Sequence, residues 1–340
     1  MLLVVNAGSS SVKIAVFDAE LNELARAQVA EISAGAHGAA LGEALAQCGV
    51  QLGDMAAIAH RVVHGGAALT APCQITKATL AQIEACIPLA PLHNPANLEG
   101  IQAMAVRAPG LPQFASFDTA FHATNPDVAT RYSIPAADAA LGIRRYGFHG
   151  LSYAGLVKHL SDPSGLPLPK RLLALHLGNG ASLCAILDGR SIATTMGYSP
   201  LDGLTMGTRA GSIDGNAVLR LVDVHGANRA AHILNRESGL QGLGGHSDMR
   251  VLHAADTPEA RFAVDHFCYW AVRHAGSMIA AMGGLDAVAF TGGIGENDPV
   301  IRGRIMAGLG WAGDVPQHIV PAEEERVIAA EALTLFKTAR

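Results

Sequence analysis

Two stretches half a chain apart repeat one pattern of apolar and polar positions. LLVVNAGSSSVKIAVFD (2–18) runs apolar, breaks at Asn6 into small polar residues, plants Lys13 just past the break and turns apolar again up to Asp18. LLALHLGNGASLCAILD (172–188) repeats the pattern, with His176, Gly178, Asn179 and Gly180 at its break. Leu2/Leu172, Leu3/Leu173, Gly8/Gly178, Ala15/Ala185 and Asp18/Asp188 are identical at a constant offset, 172 − 2 = 170, half of the 340 residues. Each copy predicts strand, Gly-containing bend, strand, which is a hairpin. A hairpin that recurs at half the chain length implies two similar lobes.

The remaining pattern is mixed. Residues 56–63, 114–118 and 285–291 are short apolar runs that predict buried strands, while 78–87, 95–107, 216–224, 259–282 and 323–337 carry helical periodicity, the fourth starting near Pro258. Strands and helices interleave through both halves, so the expected class is α/β, two lobes of mixed sheet flanked by helices. A chain of 340 residues, 50% hydrophobic, is long enough for two cores. The expected division is 1–145 and 146–322, with the helix over 323–340 packing back on the first lobe. The stretch DPSGLPLPK (162–170) is the best linker candidate by its Pro and Gly content.

Charge narrows the partners. The formal net charge is −5, with no basic stripe, which argues against nucleic acid and anionic membranes. No apolar run approaches the roughly 18 residues of a membrane span. Asn6 interrupts the N-terminal apolar run too early for a signal peptide, and no basic region precedes it. Five cysteines (48, 73, 86, 184, 268) have no CxxC spacing, so they are expected to be reduced packing residues in a cytoplasmic protein.

Chemistry enters at the bends. A Gly/Ser-rich turn exposes backbone N–H groups with little bulk, a nest suited to phosphate oxygens. Ser9, Ser10, Ser11 and Lys13 add hydroxyls and a charge in the first copy; His176, Asn179 and Gly180 stand in the second. Two facing hairpins would grip a polyphosphate from both sides. A third glycine cluster, TGGIGEN (291–297), follows an apolar run and lets backbone approach a nucleotide closely. Any one such bend is usually only a turn; three together, two of them related by the repeat, favour nucleotide binding. GxxxxGK[ST] is absent, and the glycine runs at 178, 242 and 293 each fail the last glycine of GxGxxG. GLSYAG (150–155) falls one glycine short of GxSxG, which disfavours a serine hydrolase. His60 and His64 have an i, i+4 spacing, but no further ligand cluster accompanies them, which disfavours zinc.

VVNAGSSSVK (4–13), HRVVHGG (60–66), PLAPLHNPAN (88–97), FDTAFH (117–122), RRYGFHG (144–150), HLGNGAS (176–182), SPLDGLTMGTRAGSID (199–214), SDMR (247–250) and FTGGIGEN (290–297) occur in one order along nearly the whole chain. In this ordered set the sequence resembles the acetate kinase family, within the actin/hexokinase/Hsp70-like group of two-lobed ATP-binding proteins. The resemblance implies duplicated actin-like (ribonuclease H-like) lobes. It implies reversible phosphoryl transfer between ATP and a short carboxylate, usually acetate, giving acetyl phosphate and ADP. It also implies Mg²⁺ (or Mn²⁺) and a homodimer formed mainly through the C-terminal lobe.

Such a transfer needs cations that let two anions meet. A carboxylate with a pKa near 4–5 is already ionised and needs no base. By resemblance Arg61 and Arg209 are the active-site guanidinium groups, which offer a fork of donors and keep their charge. His149 corresponds to a histidine at the transferring phosphoryl, and His176 lies nearer the ATP phosphates. Asp118 is expected to orient an arginine or to position Mg²⁺ through water. The metal is expected on Asn6 and Glu324, with Glu325 the neighbouring alternative in PAEEERVIA (321–329). Val63, Leu92, Phe148 and Pro200 carry over as the apolar acyl pocket, with Arg61 at its carboxylate end. The nucleotide is expected at Lys13, at His176, Leu177, Gly178, Asn179 and Gly180, at Asp248, Met249 and Arg250, and at Gly293, Ile294, Gly295, Glu296 and Asn297.

The chain departs from the family pattern in places. It is shorter than most members, mainly before His60 and near the C-terminus. The family usually has Glu at Asp202, Asp at Ser212, and Thr and His at Leu151 and Tyr153; these bear on dimer packing and substrate choice. Two rivals remain: a propionate or butyrate kinase of the same family, and a non-catalytic ATP-dependent switch of the actin/Hsp70 type.

Overall fold

The computed structural model describes residues 1–8, 11–33, 35–161 and 167–338. Ser9 and Ser10 of the first bend, and 162–166 of the expected linker, lie outside the described residues. Two compact units result: Met1–Ala123 with Gly150–Gly155 and Glu323–Arg340, and Thr124–His149 with Leu156–Ala322. The sequence suggested a change of lobe at 145. In these units the chain crosses at 123, returns for 150–155, and comes back at 323.

The first unit is built on one mixed sheet. Its strands are β1 (Leu2–Ala7), β2 (Ser11–Phe17), β3 (Glu23–Ala30), β4 (Ala57–Val62), β5 (Cys73–Gln74) and β6 (Gln113–Phe117), in the order β3-β2-β1-β4-β6-β5. β1 pairs antiparallel with β2 and parallel with β4; β4 runs parallel with β6. Both faces of the sheet are covered, which is why β1 is apolar without alternation. Leu3, Val5, Val12, Ile14 and Val16 pack with Ala40, Leu41 and Ala44 of the helix His37–Cys48. Leu2, Val4, Ala15 and Phe17 face the other way, onto Leu151 and onto Ile328, Ala329 and Ala332 of the helix Glu324–Thr338.

The second unit repeats the plan. β7 (Arg171–Leu177), β8 (Ala181–Leu187), β9 (Arg190–Thr194), β10 (Ala287–Thr291) and β11 (Gln317–Ile319) lie in the order β11-β10-β7-β8-β9. Counted within each unit (β5 aside), both sheets read 3-2-1-4-5 with an antiparallel first hairpin and parallel later strands. This is the expected duplicated ribonuclease H-like class. The helix Pro258–Met282 packs on β7, β8 and β9 through Ala263, Phe267, Ala271, Met278 and other buried positions three to four residues apart. Thr257 caps its start by accepting from the Ala260 N–H, Pro258 fills the first turn, and Gly283 ends it in the left-handed conformation.

The two hairpins differ in one respect that the ungapped sequence match conceals. In the first, Ala7 faces Val12 and the Gly8 N–H donates to the Ser11 carbonyl; in the second, Leu177 faces Ala181 and the Gly178 N–H donates to the Gly180 carbonyl. The second bend is one residue shorter, so the offset of 170 cannot hold on both strands. In register terms Lys13, opposite Asn6, corresponds to Ser182, opposite His176.

The predicted strands and helices are present within a few residues of their expected bounds: Ala57–Val62, Gln113–Phe117, Ala287–Thr291, Lys77–Ala85, Asn94–Arg107, Gly215–His225, Pro258–Met282 and Glu324–Thr338. β3 and the helix His37–Cys48 were not anticipated. The five cysteines are buried or half-buried and form no disulfide, and burial pushes the Cys184 thiol up to about 12 and Cys268 to about 11. Ser152 is buried inside the helix Gly150–Leu160 and not at a strand-to-helix elbow.

His60 lies buried on β4, its Nε2 2.6 Å from the Gln113 side-chain oxygen. Burial, only partly offset by that bond, lowers its pKa from 6.5 to about 4. The folded-state value is below the unfolded one, so the unfolded chain takes the proton first. The stability His60 contributes is complete above pH 6.5 and is lost as pH falls towards 4. In urea unfolding across that window, His60→Gln is expected to flatten the fall in stability by up to about 1.4 kcal/mol per pH unit, one proton's worth.

Candidate functional site

In the first unit the candidate residues gather where the parallel strands end. Asn6 stands near the end of β1, Arg61 near the end of β4 and Asp118 just past β6; adjacency in the sheet makes them neighbours. Arg61 donates to Asp118 through both prongs of its fork, Nε to Oδ1 at 3.0 Å and Nη2 to Oδ2 at 2.5 Å, and through Nη1 to Asn6 Oδ1 at 3.2 Å. Burial works against the Arg61 charge, but Asp118 and Glu324 outweigh it, and its pKa is raised. Asp118 is buried, and its backbone carbonyl also takes the Gly150 N–H at 2.8 Å. That bond ties the carboxylate to the first turn of the helix Gly150–Leu160.

The helix Glu324–Thr338 brings two acids to the same cluster. Glu324 Oε2 lies 3.8 Å from Arg61 Nε, beyond hydrogen-bond range. Glu325 is buried and already engaged: its Oε1 accepts from Asn6 Nδ2 at 3.4 Å, and its Oε2 stands 3.5 Å from Arg26. Asn94 and Asn97, buried on the next helix, brace the loop beyond β4. Asn97 accepts from the Val63 N–H and donates to the Ala7 carbonyl; Asn94 accepts from the His64 N–H and donates to the His64 carbonyl. The sequence reading missed both as positioning residues, although HNPAN carried the signal, two amides one helical turn apart in an otherwise apolar setting.

In the second unit four expected residues converge on the bend between β7 and β8. His149 and His176 stack with ring centroids 4.0 Å apart, and His149 Nδ1 lies 2.9 Å from the Ser182 hydroxyl. His149 holds a left-handed backbone, φ 58°, a conformation uncommon outside glycine. A Cβ built on Gly180 would lie 2.7 Å from Arg209 Nη2 and 3.1 Å from His149 Nε2, so a side chain there would displace the Arg209 and His149 groups. Arg209 donates from Nη1 to the Pro200 carbonyl at 2.6 Å, and among the described residues no carboxylate pairs with it. Burial, and then repulsion from Arg236, lower its pKa to about 10. At pH 7 this is a charged, largely desolvated guanidinium with donors to spare. The electrostatics call for an anion.

Beside this bend lies a cavity of about 800 Å³. Its wall includes Gly178, Asn179, Asp248, Met249, Arg250, Gly293, Ile294 and Asn297, drawn from three of the expected stretches, together with Ser247, His253 and Asp298, which were not expected. Arg250 grips Asp248 (Nη2 to Oδ2, 2.6 Å), and that bond holds the Asp248 carboxyl down at about 2. His176, Leu177, Gly180, Gly295 and Glu296 are off this wall. Glu296 instead braces the loop, its Oε1 accepting from the Gly292 and Ala322 N–H groups. Gly292 has φ +79°, and a Cβ there would meet the Leu177 carbonyl at 2.8 Å. Lys13 belongs to the first unit. Of the expected acyl-pocket residues, Val63 and Phe148 are buried and Leu92 is about half exposed, at 48%.

Comparison with known proteins gives one answer. A sequence profile described as the Acetokinase family matches residues 26–333. The acetate kinase of Nitrobacter hamburgensis is 42% identical over 387 aligned positions, covering 98% of this chain and 96% of that one. The crystal structure of Porphyromonas gingivalis acetate kinase superposes with a TM-score of 0.90 at 32% identity, covering 98% of this chain and 99% of that chain. A propionate kinase from Francisella tularensis also superposes at 0.90, with 34% identity over 97% of this chain and 98% of that one.

The Arg61–Asp118 fork generates a stability prediction. Asp118→Ala leaves a mostly buried guanidinium short of its main partner and is expected to lower the unfolding free energy by about 3 kcal/mol. Arg61→Ala/Asp118→Ala, which removes both charges, is expected to cost less than Asp118→Ala alone, measured by chemical denaturation.

Proposed function

The chain belongs to the acetokinase family, and from that premise we propose that it transfers the γ-phosphoryl group of ATP to acetate, reversibly giving acetyl phosphate and ADP. The observation that carries the reading is Arg209, a desolvated guanidinium beside the Asn179–Gly180 bend with no carboxylate partner among the described residues. A site built to stabilise a transferring phosphoryl group wants such a charge. A non-catalytic switch has no use for it.

The step needs no proton transfer. A carboxylate oxygen of acetate forms the new bond to the γ-phosphorus. The bond from that phosphorus to the β–γ bridging oxygen breaks, and its electron pair leaves with ADP. Asp118 therefore serves as an orienting group: its two-pronged grip fixes the Arg61 fork. Arg61 then binds the acetate carboxylate, while Arg209 and His149 meet charge on the transferring group, with His176 stacked behind His149. By the family resemblance Val63 and Leu92 of the first unit and Phe148 and Pro200 of the second are assigned to the acyl group. The nucleotide occupies the cavity lined by Gly178, Asn179, Asp248, Met249, Arg250, Gly293, Ile294 and Asn297, where glycine backbone leaves room for it. The two compact units are the two lobes of this reading.

Mg²⁺, or Mn²⁺, fits the first-unit cluster. The donors there, the Asn6 amide oxygen and the Glu324 carboxylate, are oxygens, which suits a hard cation that keeps most of its water. Glu325 is engaged by Asn6 and Arg26, so Glu324 is the acid that would hold the ion, joined by Asn6 Oδ1 once that oxygen gives up the Arg61 N–H it accepts at 3.2 Å. When bound, it supplies positive charge to the phosphate oxygens. A homodimer is supported by the helix Gly215–His225, where Val218, Leu219, Leu221 and Val222 leave no buried residue, and by exposed Phe262 and Tyr269. Five cysteines without a disulfide support the cytoplasm as its place, and no described helix is long and apolar enough to cross a membrane.

Purified protein with ATP, Mg²⁺ and acetate is expected to form acyl phosphate, trapped as a hydroxamate with hydroxylamine. Propionate, one methylene longer, is expected to react more weakly by about 1–3 kcal/mol in kcat/KM; the reverse order would assign the chain to propionate. No hydroxamate with acetate, propionate or butyrate refutes the kinase reading, and rapid ATP turnover without carboxylate favours the switch. Arg209→Ala is expected to lower kcat by about 10²–10³ while the melting temperature holds or rises, since an uncompensated charge leaves the interior.

A further inference from the structure

One hydrogen-bond chain in the second unit has no part in the reaction as derived. Thr205 is buried, and its hydroxyl lies 2.9 Å from His266 Nδ1. Trp270, one helical turn further along Pro258–Met282, donates its indole N–H to His266 Nε2 at 3.0 Å. An indole N–H can only donate, so Nε2 must accept and the ring proton must sit on Nδ1, pointing at the Thr205 oxygen. Burial lowers the His266 pKa and keeps this neutral form. Arg273 lies 4.5 Å over the Trp270 ring and holds the indole in place. The order is thus fixed: Trp270 donates to His266, and His266 donates to Thr205.

Thr205 is the last residue before the turn that presents Arg209. The Met206 N–H closes that turn on the Arg209 carbonyl at 3.2 Å. Its outer side is stitched to the next helix, Leu240 N–H to the Met206 carbonyl and Gln241 N–H to the Gly207 carbonyl. Its inner side is stitched to the phosphate bend, Gly207 N–H to the Asn179 carbonyl at 3.0 Å. The entrance to the turn therefore depends on the Thr205 side chain, and the long core helix reaches that side chain through His266.

We propose that His266, protonated on Nδ1 and held there by Trp270, is a positioning residue for Arg209, acting through Thr205. This rests on the assignment of Arg209 to the transferring phosphoryl group. A displacement of about 1 Å at a reacting group costs up to about 10²-fold in rate, so a loosened turn should register in kcat more than in binding.

The test is a double-mutant cycle in the hydroxamate assay. His266→Phe and Thr205→Val are each expected to lower kcat about ten-fold, with KM for ATP and acetate within about two-fold. His266→Asn, whose amide N–H takes the place of Nδ1–H, and Thr205→Ser are expected to recover most of the loss. In the Arg209→Ala background, His266→Phe is expected to cost nothing further. A loss of kcat in both backgrounds, or no recovery in His266→Asn and Thr205→Ser, makes the role merely structural and overturns the proposal. So does parental kcat in both His266→Phe and Thr205→Val while Arg209→Ala is impaired. If Arg209→Ala itself keeps full activity, the assignment of Arg209 fails, and this inference with it. Should His266→Phe not fold, Thr205→Val removes a single hydroxyl and completes the same cycle.

Discussion

A carboxylate gripping a guanidinium by both prongs organises the first unit. Asp118 pins Arg61 and, through its backbone carbonyl, the start of the helix Gly150–Leu160. Arg61 in turn reaches Asn6 and stands close to Glu324. Three parallel strand ends and two helices thus converge on one buried charge. The second unit treats its arginine in the opposite way, largely burying Arg209 with one bond to the Pro200 carbonyl and the repelling charge of Arg236 nearby. One guanidinium is satisfied and rigid, the other unsatisfied and waiting.

Much of this was legible in the chain because the signal was local. The apolar–bend–apolar pattern marked both hairpins; of their strand-end polar residues, Asn6 bonds Arg61 and His176 stacks on His149. The difference of one residue in bend length was not legible. β2 and β8 are buried on both faces, so sliding either by one position leaves an equally apolar run. The helix His37–Cys48 was hidden by its Ala- and Gly-rich composition, and β3 by its charged edge. In Glu323–Glu325 the pattern of charge could not say which acid did what. The structure separates them: Glu325 is buried and bonded, while Glu324 lies 3.8 Å from Arg61 and, among the described residues, makes no side-chain hydrogen bond. Glu296 lay in a phosphate-like motif yet spends its carboxylate on the loop's own backbone.

Asp202 and Ser212 bond to one another: the Ser212 hydroxyl donates to Asp202 Oδ1 at 2.7 Å. Arg145 takes the other Asp202 oxygen at 3.1 Å. Two acids at these positions would repel; an acid and a hydroxyl attract, with one arginine enough to balance them. Leu151 and Tyr153 are both buried, Tyr153 against Phe121 and His122, so they fill the first unit's core.

The order in which the elements are strung together has a consequence for biosynthesis. The first unit takes its final helix, Glu324–Thr338, from chain that a ribosome makes only after every strand of the second unit. Until then, the face of the first sheet formed by Leu2, Val4 and Phe17 lacks that cover, and Arg61 lacks Glu324. The nascent amino-terminal half must therefore wait, part-finished and sticky, while its twin is translated. Chaperone demand should peak in that interval, and cutting the gene in two would strand the first half in that state.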